Sequence, residues 1–162
     1  MILMGTSDFA LKVRAEKARE AELIGIDEEL ISTLVDTFYA RIQADEMLGP
    51  IFAGKINDWP AHLSRMKDFW SSVVIGTGRF HGNPMIKHVA LAKPDGSGVG
   101  ADHFQHWLQL FSQTLDDVSP TKAAKDLFAD RAARIAESLH TGMKLHSGGL
   151  DSIRKTPERK GN

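Results

Sequence analysis

Apolar residues recur along most of the chain at intervals of three and four, the period of a helix with one buried face. The clearest run, Ile31, Leu34, Val35, Phe38, Tyr39 and Ile42, begins beyond Asp27 and predicts a helix of about four turns. Gly49-Pro50 then breaks the chain, which leaves Ile51 and Phe52 as apolar residues in a turn. Asp58-Trp59-Pro60 predicts the next helix start, leading into His62, Leu63, Met66, Phe69, Trp70, Val73 and Val74 and ending at Gly76-Thr77-Gly78. A short segment after Asn83-Pro84 runs from Met85 to Leu91 and stops before Pro94, with room for about two turns. Beyond the glycine-rich stretch 94–100, Phe104, Trp107, Leu108, Phe111 and Leu115 form a third buried stripe. Ser119-Pro120 is read as the cap of a last helix bearing Leu127, Phe128, Ile135, Leu139 and Met143. Residues 9–24 also favour helix, but their apolar stripe is thin, so an exposed or docking helix ending near Gly25 is expected. No window alternates in the manner of a half-buried strand, so the fold class is all-α. The expected organisation is an N-terminal helical extension (1–26), one globular domain (27–146) and a disordered tail (147–162).

With 162 residues and 42% hydrophobic content the chain can build one continuous core. Its 20 basic and 21 acidic side chains nearly cancel, so no overall field attracts phosphate backbones or anionic lipid, and nucleic acid is not an expected partner. Cysteine is absent, which excludes disulfides, Cys-ligated zinc, iron–sulfur clusters, thiolate-ligated haem and covalent haem attachment through cysteine. The first residues are apolar for only four positions before Lys12, Arg14, Lys17 and Arg19, and no run approaches the ~18 apolar residues of a membrane span. A soluble, cytoplasmic protein without a membrane partner is the resulting expectation.

Tyr39, His62 and Trp107 each sit inside an apolar stripe of a different predicted helix. Any one of them alone reads as a satisfied core residue. Three polar tips carried into one interior suggest instead a lined cavity, because buried polar groups need partners. His88 lies in the short segment among Met85, Ile86, Val89 and Leu91, where a neutral imidazole can ligate haem iron through one nitrogen and be oriented through the other. Glu137-Ser-Leu-His140 has the spacing of a di-iron bundle motif, but that site needs a second copy and two further inward glutamates, and the second copy is missing.

Five stretches then carry a resemblance: Phe38-Tyr39-Ala-Arg-Ile42; Leu48-Gly-Pro-Ile-Phe52; Trp59-Pro-Ala-His62-Leu-Ser-Arg-Met-Lys-Asp-Phe69-Trp70; Gly82-Asn-Pro84-Met-Ile-Lys-His88; and His103-Phe104-Gln-His-Trp107-Leu-Gln-Leu-Phe111. In order and combination they resemble the globin family, specifically the third group of truncated bacterial haemoglobins, over residues 27–143. The resemblance implies a two-over-two helical sandwich around haem b, with an extra N-terminal helix. It implies His88 as the proximal iron ligand and Tyr39, His62 and Trp107 as the distal residues. Phe52 would pack on the haem, with Met66, Phe69, Trp70 and Phe104 also against it, and Arg65, one turn past His62, would reach a propionate. Two departures bear on the haem edge: Phe80 stands where relatives often carry tyrosine, and the 94–100 loop is unusually rich in glycine.

The implied function is binding of O2, NO or another diatomic ligand at a polar distal pocket. Two donors, the Tyr39 O–H and the Trp107 indole N–H, would retain a partly negative oxygen ligand too tightly for a carrier, which favours chemistry such as nitric oxide dioxygenation or a peroxidase-like reaction, with an electron-donating reductase as partner. The alternative is a globin-fold sensor or interaction module with weak or no haem binding.

Overall fold

Asp27 begins the best-formed helix as the hydrophobic pattern requires: its carboxylate accepts a hydrogen bond from the Leu30 N–H at 2.8 Å, satisfying one of the donors a helix start leaves open. The computed structural model of the protein describes residues 5–83 and 98–154. Among these the chain forms α1 (Thr6–Leu23), α2 (Glu28–Ala44), α3 (Gly49–Ala53), α4 (Trp59–Val74), α5 (Ala101–Val118) and α6 (Lys122–Arg154), with no strand. Asp58 caps α4 in the same manner as Asp27 caps α2, accepting from the Ala61 N–H at 3.1 Å, and Pro60 sits in the first turn where its missing N–H costs nothing.

Three boundaries differ from the sequence reading. Ile51 and Phe52 belong to the single-turn helix α3, because Pro50 in a first turn is compatible with helix as well as with a break. The start of α6 is capped by Thr121, whose hydroxyl accepts from the Ala124 N–H at 3.0 Å and donates to the Ile24 carbonyl at 2.6 Å; Ser119 instead closes α5. Finally, α6 runs to Arg154, so residues 147–154, expected to be disordered, are helical. Extending an established helix adds one bond per residue fixed, which outweighs the local penalty of Gly148-Gly149.

The two pairs α2/α4 and α5/α6 make the two layers of the fold; α2 also packs on α5 and carries α3, and α4 touches α6. Between the layers Leu34, Ile42, Leu115 and Phe128 are completely buried. An aromatic column crosses the middle: Trp107 lies flat on Phe111 (5.4 Å, 2°), Phe111 lies flat on Trp70 (5.2 Å, 16°), and Phe38 stands edge-on to both Phe111 (5.1 Å) and Trp107 (5.3 Å). Such pairs add about 0.5–1.5 kcal/mol each beyond their buried area. At the edge of the layers Arg41 joins α2 to α5, donating to Thr114 Oγ1 at 3.2 Å and to Asp117 at 2.5 Å. Among the described residues no helix is long and apolar enough to cross a membrane.

Candidate functional site

Adjacent positions on α2 send two rings in different directions. Phe38 enters the aromatic column, while Tyr39 turns toward α3 and the start of α4. There its ring is perpendicular to that of His62, with centroids 5.0 Å apart, and lies 6.1 Å from Phe52 and 6.2 Å from Trp59. Trp59 in turn stands perpendicular to His62 at 5.8 Å. Three rings from two helices therefore meet around one phenol. Tyr39 is 6% exposed, and burial pushes its pKa well above the usual phenol range, because no water is there to stabilise the phenolate. The group is a neutral O–H at any physiological pH, available as a donor.

Trp107 joins this cluster through Phe38, whose ring is 5.2 Å from Tyr39 and 5.3 Å from Trp107. The predicted trio is thus brought to one side of the fold, with Tyr39 and His62 in direct contact and Trp107 one ring removed. Phe52, Leu63, Met66, Phe69 and Trp107 are only half-buried although all pack against the core. Half-buried apolar side chains on α3, α4 and α5, together with a buried phenol, could be covered by a flat, largely apolar cofactor, so the residues present fit a haem.

The remaining predicted residues divide. Arg65 is exposed on α4, free of the core and on the side of the helix open to solvent. Trp70, predicted to lie on the cofactor, is 3% exposed and packed between Phe111, Phe128 and Phe69. Its surface is spent on the core; helical spacing alone does not separate a core face from a cofactor face. Phe104 faces α6, its ring 5.1 Å from His140, so it belongs to the α5/α6 contact instead of the Tyr39 cluster. His88, the implied iron ligand, and its neighbours from Pro84 to Leu91 lie outside the described residues.

Sequence reasoning passed over two features. Trp59 was read only as part of a helix start, yet it precedes His62 by three positions, a spacing that puts both on one helix face. The second is a tie beside the site. Asp45, which closes α2, accepts from the Met47 and Leu48 N–H groups (3.0 and 2.9 Å) through one oxygen and pairs with His106 Nε2 at 2.6 Å through the other. Burial pulls its carboxyl upward, but the His106 and backbone hydrogen bonds outweigh it and hold the pKa below the ordinary value. The pair anchors α5, one residue before Trp107, to the turn that carries α3.

Residues 21–141 match the family of bacterial-like globins. The group 3 truncated haemoglobin ctb of Campylobacter jejuni is 29% identical over 127 residues, covering 76% of this chain and 95% of that protein. The crystal structure of the group III truncated haemoglobin from Campylobacter jejuni superposes with a TM-score of 0.65 at 30% identity, covering 73% of this chain and 91% of that one. The group II truncated haemoglobin from Bacillus anthracis superposes with a TM-score of 0.61 at 25% identity, covering 74% and 93%.

Proposed function

This chain belongs to the bacterial-like globins, as a truncated haemoglobin of the third group, and from that premise we propose that it holds haem b without a covalent link and binds O2, NO or a similar diatomic gas beside Tyr39 and His62. The observation that carries the proposal is the buried, neutral Tyr39 phenol in perpendicular contact with His62 on a face lined by half-covered apolar side chains.

Haem, when bound, would supply an iron able to take up a diatomic gas, and His88 is the residue that would hold that iron. The chain's own distal groups then decide how long a gas stays. Tyr39 presents an O–H with no competing ionised form, and Trp107 presents an indole N–H from the next helix. A hydrogen bond to a partly charged acceptor is worth ~1.5–3 kcal/mol, roughly ten- to over a hundredfold in affinity. Retention of that strength suits conversion of the ligand better than its delivery, so we assign nitric oxide dioxygenation, with an electron-donating reductase, ahead of peroxidase-like chemistry. Arg65, exposed on the same helix as His62, is the side chain we assign to a propionate at the rim.

Tyr39→Phe tests the assignment. Loss of the phenol O–H speeds oxygen dissociation about tenfold or more, read by stopped-flow displacement with carbon monoxide. An unchanged off-rate would remove Tyr39 from the role. One observation favours the second reading, an interaction or sensor module: Phe9, Leu11 and Leu23 of α1 are exposed at 61%, 62% and 83%. A purified protein that is colourless with added haem, yet stably folded, would support that alternative.

A further inference from the structure

Trp59 is the member of the ring cluster without an assigned task. It is the first residue of α4, held between the Asp58 cap and Pro60, so its backbone is fixed where the helix is most firmly started. Its indole stands perpendicular to His62 (5.8 Å, 88°) and tilted to Tyr39 (6.2 Å), while Tyr39 is itself perpendicular to His62 (5.0 Å, 88°). The three rings close a triangle. An imidazole held edge-to-face from two directions must give up both contacts to change rotamer, and each such contact shifts an equilibrium by roughly two- to tenfold.

We propose that Trp59 is a positioning residue that keeps the His62 imidazole against Tyr39 and thereby sets how often the distal side stands open to an incoming gas. The inference rests on the haem-globin reading given above, and the tests for the two come apart. Removing the indole takes away one of the two ring contacts that hold His62 in the triangle. Ligand entry then speeds up while the Tyr39 O–H itself is retained.

The experiment compares Trp59→Ala, Trp59→Leu and Trp59→Phe in the haem-loaded ferrous protein with carbon monoxide as the probe. In Trp59→Ala, carbon monoxide association after flash photolysis rises about two- to tenfold, and the His62 ring-proton resonances lose the displacement that neighbouring ring currents impose. Trp59→Phe keeps a ring and restores most of both signals; Trp59→Leu keeps bulk without a ring and restores neither, which separates positioning from space filling. In a His62→Ala background, Trp59→Ala changes the rate by less than about twofold, since the residue it acts through is gone. Unmoved His62 resonances in Trp59→Ala, or the same acceleration with His62 already removed, would overturn the inference and leave the haem reading standing. Failure of the unsubstituted protein to take up haem would overturn both.

Discussion

Tyr39 concentrates the chemistry and exposes it to a clean test. It is the single tyrosine of the chain, so phenolate absorbance reports this residue alone. Burial raises its pKa in the folded state above the unfolded value of 10.0, and below that pH both states are protonated. Above it the unfolded chain ionises first and binds fewer protons than the folded one, so stability falls with rising pH by up to about 1.4 kcal/mol per unit. An alkaline titration should therefore show no phenolate just above pH 10 while the helical signal persists, and then phenolate and unfolding together. Half-ionisation near pH 10 in a folded chain would contradict the burial and the donor role argued from it. That Tyr39 and His62 share one interior was legible in the sequence because a polar side chain in an apolar stripe asks for a partner. Trp70 was not separable from them, since a buried stripe looks the same whether it meets a cofactor or, as here, Phe111 and Phe128.

The elements were legible where side-chain chemistry punctuates the backbone. Asp27 and Asp58 placed the starts of α2 and α4, and Gly76 and Gly78, both with positive φ (84° and 70°), mark the end of α4. The task of α1 was not legible, because its thin apolar stripe says nothing about what its charged stems cover. Its Lys17 lies 3.1 Å from where a Cβ on Gly76 would be, and its Arg14 3.0 Å from the equivalent point on Gly78. The same loop is held from below: Ser71 and Thr77 hydroxyls are 2.8 Å apart, the Phe80 N–H donates to Ser72 Oγ at 3.0 Å, and Arg79 pairs with Glu28. Helix α1, most of which precedes the family match at residue 21, thus straps the loop that follows α4. Deleting residues 1–20 should speed amide exchange across residues 75–83 by about tenfold, the loss of roughly 1.4 kcal/mol of local stability, with α2 and α5 unaffected. Equal exchange with and without α1 would mean that the strap carries no load. Gly78→Ala, which meets both the left-handed backbone and Arg14, should cost about 1–2 kcal/mol in denaturant unfolding.

At the scale of the molecule, the all-α class followed from a three-to-four period in most predicted segments and from the lack of strand-like alternation, but which helices pair did not, because periodicity gives a buried face and not its partner. Phe104 shows the difference: its stripe predicts a buried face, but not that the ring meets His140 across the α5/α6 contact. What the assembled helices achieve is a rigid aromatic column through Phe38, Phe111 and Trp70, with Tyr39, His62 and Trp107 set around one end of it. Under the proposed function a metalloporphyrin completes the half-covered apolar side chains at that end, and His88 is the residue assigned to hold the iron. Titrating haem into the purified protein and its His88→Ala variant, followed in the near-violet absorption, tests this most directly. An intense band saturating at one haem per chain, weakened or lost in His88→Ala and recovered by added imidazole, is the predicted result; no band, or a band indifferent to His88→Ala, would contradict the account.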